Sequence, residues 1–99
     1  MTSPIISETA AAELIEIWEY TYQTWGEPQA ECYLRLLNAA FERVALAPGV
    51  GRDRSEYLPE MRSVAVERHV VFYRAFGPDV VILRVVHQRR DMAAMGFDR

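Results

Sequence analysis

The stretch Val80–Asp91, VVILRVVHQRRD, sets an arginine inside an apolar run and closes it with a histidine and two adjacent arginines. Arginine keeps its charge and offers a planar fork to carboxylates and phosphates, while histidine is the side chain that titrates near neutral pH. The candidates for chemistry are therefore Arg84, His87, Arg89 and Arg90, with Arg62 and His69 upstream. Period-two alternation limits what they can do together. Val80, Ile82, Arg84 and Val86 share one side of a regular strand and Val81, Leu83, Val85 and His87 the other. Arg84 and His87 thus point apart unless a bulge intervenes, a spacing wrong for a simple acid–base pair and suited to recognition. An uncovered sheet face carrying Arg62, Arg74 or Arg84 would be a basic patch for an acidic partner or a nucleic acid. Paired across strands with Glu60 or Glu67, the same arginines would only solvate the sheet, for well under about 1 kcal/mol each. His69 and His87, at strand ends, are expected to be structural, each bonding a loop carbonyl.

Other chemistries lack their residues. Two histidines and one cysteine, without HExxH or CxxC spacing, do not make a metal site, and no cofactor motif is present. The segment GVGR lacks the strand-turn-helix context of a phosphate loop. All eleven basic side chains are arginine, so a mechanism needing lysine is excluded. Charge is unevenly spread: residues 1–50 hold two arginines against seven glutamates (2 − 7 = −5), and residues 51–99 hold nine arginines against seven acids (9 − 7 = +2). The lone Cys32 implies a reducing, cytoplasmic setting, the N-terminus does not read as a signal peptide, and no apolar run nears the roughly 20 residues of a membrane span.

The elements that must position these groups follow from periodicity. A chain of 99 residues fits one domain, 1–99. Ile5 and Ile6 mark a short strand, Ser7 is an N-cap, and Glu8 follows in the first turn. Ala10, Leu14, Ile17 and Thr21, with Ala11, Trp18, Tyr22 and Trp25, recur at helical spacing up to Gly26. Pro28 starts a second helix whose stripe is Ala30, Tyr33, Leu34, Leu37, Phe41 and Val44. So short a connection makes the two helices an antiparallel hairpin. Trp18, Trp25 and Tyr33 are expected in its core, and Glu13, Glu16 and Glu19 on a solvated face. Residues 48–60 read as a loop. Residues 61–67, 69–76 and 79–87 alternate with period two and are joined at Arg68 and Gly77-Pro78, which makes an antiparallel meander. The fold class is α+β, with the helices covering one sheet face and the other face open. The tail QRRDMAAMGFDR has weak helical character.

Three features in this order resemble a known family: the Leu46-Ala47…Pro48…Gly51 loop entry, Arg62…His69-x-x-x-Tyr73, and Arg84-Val85-Val86-His87-x-x-Arg90-Asp91. Together, from Ser7 to Met92, the chain looks like a ParE-family toxin of a type II toxin–antitoxin system, within the RelE/ParE superfamily. The resemblance implies the same strand–helix–helix–three-strand order. It implies a ParD-like antitoxin that wraps and neutralises the toxin, and DNA gyrase as the inhibited target, without hydrolysis. Arg62, Arg84, His87, Arg89 and Arg90 are then the expected recognition residues for target or antitoxin. The RelE branch, which cuts messenger RNA on the ribosome, is the alternative. Such cleavage needs a base, an acid and a stabiliser of the pentavalent phosphate, and only His69 and His87 suit the first two roles. A third reading is an inactive homologue retained as a binding module.

Overall fold

A computed structural model describes residues 4–90. Strand β1 (Ile5–Ile6) leads into helices α1 (Glu8–Trp25) and α2 (Glu27–Leu46). A 3-10 turn, Pro48–Val50, then precedes β2 (Arg52–Asp53), β3 (Met61–Val66), β4 (His69–Phe76) and β5 (Asp79–His87). The capping chemistry fixes the helix ends. Ser7 Oγ accepts the Ala10 N–H at 3.1 Å and donates to the Leu83 carbonyl at 2.9 Å, so one hydroxyl caps α1 and ties it to β5. Gly26, at φ 91°, ends α1 with its N–H on the Tyr22 carbonyl, and Pro28 occupies the first turn of α2.

The sheet order is β1-β5-β4-β3-β2, with β1 parallel to β5 and every other pair antiparallel. This is the α+β fold expected from the periodicities, extended by the two-residue β2, which pairs Arg52 with Ser63 and Asp53 with Arg62. Two residues carry no periodicity, so β2 is absent from the sequence reading. Glu67 and Gly77 take positive φ, 53° and 58°, as two-residue hairpin turns ask of their first central residue.

Ala10, Ile17, Leu37, Phe41 and Val44 of the hairpin bury against Val71, Tyr73, Val80, Ile82 and Val85 of the sheet. Each fully buried large apolar side chain contributes about 1.5–3 kcal/mol. The opposite face is not open as expected. Residues 54–60 fold across it, and Leu58 joins Met61, Val70, Phe72 and Val86 in a second buried cluster. Tyr57 meets Phe72 edge-on at 6.3 Å. The hairpin core also differs from expectation: Trp25 is 61% and Tyr22 49% exposed, leaving small Ala10, Ala30 and Ala40 to bring the elements close. No helix among the described residues is long and apolar enough to cross a membrane. The tail from Asp91 onward, expected to be weakly helical, lies outside the described residues.

Candidate functional site

A cleft of about 890 Å³ opens between α1, α2, the β3–β4 turn and the end of β5. Ile17 and Thr21 form its floor on the helix side, exposed Tyr20, Trp25 and Leu36 its rim, and His69, His87 and Arg90 its far wall. His69 and His87 are direct cross-strand neighbours with ring centroids 5.5 Å apart and planes at 77°. Both register partners face the helices, because Val71 and Val85, two residues inward, pack in the helix-side core.

Tyr33 fixes this end of the sheet to α2. Its hydroxyl lies 2.5 Å from His69 Nδ1 and accepts the Arg68 N–H at 3.2 Å. Burial raises the Tyr33 pKa above its ordinary value, and burial, then the neighbouring His87, lowers that of His69, against an opposing pull from Glu13. A neutral His69 and a protonated phenol follow, with the short contact shared between them. His87 Nδ1 accepts the Arg89 N–H at 3.1 Å, so neither histidine bonds a loop carbonyl.

The structure separates the expected recognition residues. Arg62 donates from Nη1 to the Gly51 carbonyl at 3.0 Å, at the other end of the sheet, where Tyr73 Oη bonds Pro48 O and Gly51 N. Arg84 does not stand on an open face with it. A bulge lets Phe72 face Arg84 while Tyr73 faces Ile82, and Leu83 is the extra residue. Arg84 then meets Glu13 of α1 at 3.0 Å, with side chains only 13% and 14% exposed. His87, the last residue of β5, and Arg89 and Arg90 beyond it are exposed, and His87 and Arg90 line the cleft. Asp91, which closes the motif, lies outside the described residues.

Glu13, expected on a solvated face, is thus an inward residue. The signal for it was its place on the buried stripe, three residues after Ala10 and four before Ile17. Tyr33 is the other residue missed as a positioning group, since a helical stripe cannot distinguish a core tyrosine from one whose hydroxyl holds a histidine. The imidazole pair offers proton carriers or donors, but among the described residues no arginine side chain is bonded to it. Among the described residues no group of three histidine, cysteine or acidic side chains could hold a metal.

Comparison with known proteins places this geometry. Residues 5–92 match the model of the ParE toxin of type II toxin–antitoxin systems, parDE. The chain is 43% identical over 89 residues to Toxin ParE1 of Mycobacterium tuberculosis, covering 89% of this chain and 91% of that protein. It is 42% identical over 89 residues to Toxin ParE1 of Caulobacter vibrioides, covering 90% and 92%. It is 34% identical over 101 residues to Toxin ParE of Escherichia coli, covering 100% and 97%. A chain from the solved chromosomal ParDE TA system from P. aeruginosa has the same fold, with a TM-score of 0.74 and 21% identity over 88% of this chain and 96% of that one. Matched over most of its length by that family and these relatives, the chain belongs to the ParE toxin family of type II toxin–antitoxin systems.

Proposed function

We propose that this ParE-family toxin is neutralised by a ParD-like antitoxin and stops growth in the cytoplasm by binding and inhibiting DNA gyrase, without catalysing a reaction. The observation that carries the reading is the engagement of Arg62 and Arg84 in the fold. Arg62 holds the Gly51 carbonyl and Arg84 holds Glu13. A phosphate-stabilising arginine must instead be aimed at the reacting group. The exposed aromatic rim of the cleft, Tyr20 and Trp25, suits a protein partner, since such side chains anchor interfaces.

The test is supercoiling of relaxed plasmid by gyrase with the purified toxin titrated in, with and without the antitoxin. Inhibition relieved by the antitoxin supports the reading. No inhibition sinks it. The second reading, RNA cleavage, draws on the adjacency of His69 and His87 in an accessible cleft. Ribosome-dependent cleavage of messenger RNA that disappears in His87→Ala would favour it. Failure of induced toxin to slow growth would leave only the inactive binding module.

A further inference from the structure

We propose that the sheet face away from the helices carries a binding site for the phosphodiester backbone of a nucleic acid, built by Arg52, Arg54 and Arg74. The register places the three arginines together. Arg52 pairs with Ser63, which pairs with Phe72, so this row belongs to the face turned from the helices. Arg54 N bonds the Met61 carbonyl, and Met61 pairs with Arg74, so the adjacent row carries Arg54 and Arg74. The same alternation sends Asp53 and Arg62 to the opposite face.

The arginines are oriented from behind. Arg54 Nε donates to Ser63 Oγ at 2.8 Å while its guanidinium carbon lies 5.8 Å from the Phe72 ring centre. Arg74 sits 4.6 Å from the Phe76 ring centre. Stacked guanidinium groups keep their N–H edges for an anion. The ion pairs among the described residues are Glu13–Arg84 and Glu31–Arg35, so within that set Arg52, Arg54 and Arg74 stand outside any ion pair. Arg74 Nε is a buried nitrogen without a hydrogen-bond partner.

Charge and spacing select the occupant. β2 and β4 flank β3, so the arginines span about two strand spacings, roughly 10 Å. Duplex DNA presents one negative charge per about 1.7 Å of axis, so a span of this size meets several phosphates whatever the sequence. An acidic peptide would need its carboxylates set at matching positions. Phe72 is fully buried, so its ring offers bases no stacking platform and the contact is to the backbone. Meanwhile the helical hairpin, residues 8–46, holds seven glutamates and two arginines (2 − 7 = −5), which turns that side away from a polyanion. Binding is therefore oriented despite the net charge of −3. This inference does not depend on gyrase being the target.

The experiment is fluorescence anisotropy of a labelled DNA duplex with the free toxin across a salt series. Three neutralised phosphates give a slope of log affinity on log salt of about −2.7. The triple variant Arg52→Ala/Arg54→Ala/Arg74→Ala should bind roughly tenfold or more weakly with a flatter slope. Arg52→Glu, at an exposed edge position, should weaken binding without touching the core and guards against misfolding of the triple variant. Arg35→Ala/Arg43→Ala on α2 should bind as wild type does. No wild-type binding at low salt, unchanged binding in Arg52→Glu, or equal loss in the α2 variant would each overturn the proposal. So would a triple variant that loses affinity for the antitoxin alone, which would make the face a protein interface. Supercoiling inhibition measured on the same variants reads the gyrase proposal separately.

Discussion

Glu13 and Arg84, 71 residues apart in sequence, form a two-pronged pair in which one carboxylate takes Arg84 Nε at 3.1 Å and Nη2 at 3.0 Å. The same carboxylate accepts the Val85 N–H at 2.9 Å. β1 pairs only with Val81 and Ile82, so beyond them Glu13 supplies the acceptor that a neighbouring strand would have given. Low exposure separates this pair from surface ion pairs of little worth. Arg84→Ala should cost about 1–3 kcal/mol of stability, by removing charge-assisted hydrogen bonds from a half-enclosed acid. Glu13→Ala should cost at least as much, because it strands both Arg84 and a strand-edge N–H. Urea denaturation midpoints check this, and an unshifted midpoint in Arg84→Ala would show the pair to be idle. Any loss of growth inhibition in that variant must be read against its folded fraction.

His69 makes stability sensitive to acid. The folded-state pKa of His69 lies below its ordinary 6.5, chiefly through burial. The unfolded chain therefore takes up a proton near pH 6.5 that the folded chain accepts only at lower pH. This contribution is undiminished above pH 6.5 and falls as the pH drops from 6.5 through the folded-state value. Unfolding midpoints measured across that window, above the carboxylate range, should fall for the wild type and fall less for His69→Gln. Tyr33→Phe should itself cost about 1 kcal/mol, since it leaves His69 Nδ1 and the Arg68 N–H without their shared partner.

Tyr73 holds the loop entry closed. Its buried hydroxyl donates to the Pro48 carbonyl at 2.6 Å and accepts the Gly51 N–H at 2.9 Å. Tyr73→Phe keeps the ring and strands both backbone groups, for an expected loss of about 1–3 kcal/mol. Gly51→Ala attacks the same joint from the other side. A β-carbon there would lie 2.8 Å from Tyr73 Cε1 and 2.9 Å from the Ser63 carbonyl oxygen. The two losses should fall short of additive, because both release the one corner. Amide exchange at Arg52 and Asp53 should quicken in each variant. Unchanged exchange would mean that β2 is held by its pairing with β3 alone.

What the sequence made legible was local punctuation. Ser7, Gly26, Pro28 and Gly77 each act within a few residues, and each stands where its own backbone preference puts it. Period-two alternation likewise located β3, β4 and β5, and hence the α+β class. What stayed hidden depends on a partner distant in sequence. β2 exists only because Arg52 and Asp53 meet Ser63 and Arg62. The bulge at Leu83 arises from the register between β4 and β5, and it overturns the simple alternation that grouped Val86 with Ile82 and Val85 with Leu83. Val85 joins Ile82 in the helix-side core and Val86 joins the cluster on the other face. Of the candidate site, His87, Arg89 and Arg90 were found at an exposed end, whereas Arg62 and Arg84 carry structural bonds that their residue type does not announce.

The exposed aromatics on the hairpin separate binding from folding. Tyr20, Trp25 and Leu36 line the cleft at 66%, 61% and 42% exposure. Large apolar side chains left this accessible add little to the core, so Trp25→Ala should shift stability by no more than about 0.5 kcal/mol. At a protein interface the same side chain is the type that carries binding energy, and its truncation there costs about 2 kcal/mol or more. On the proposed reading, Trp25→Ala therefore keeps its unfolding midpoint and loses roughly 30-fold in affinity for the antitoxin, the equivalent of 2 kcal/mol at 1.4 kcal/mol per decade. Calorimetric titration of antitoxin into each variant measures this directly. A Trp25→Ala toxin that binds its antitoxin as tightly as the wild type would move the interface off the cleft rim. A large fall in stability would instead return Trp25 to the core, as its helical spacing suggested.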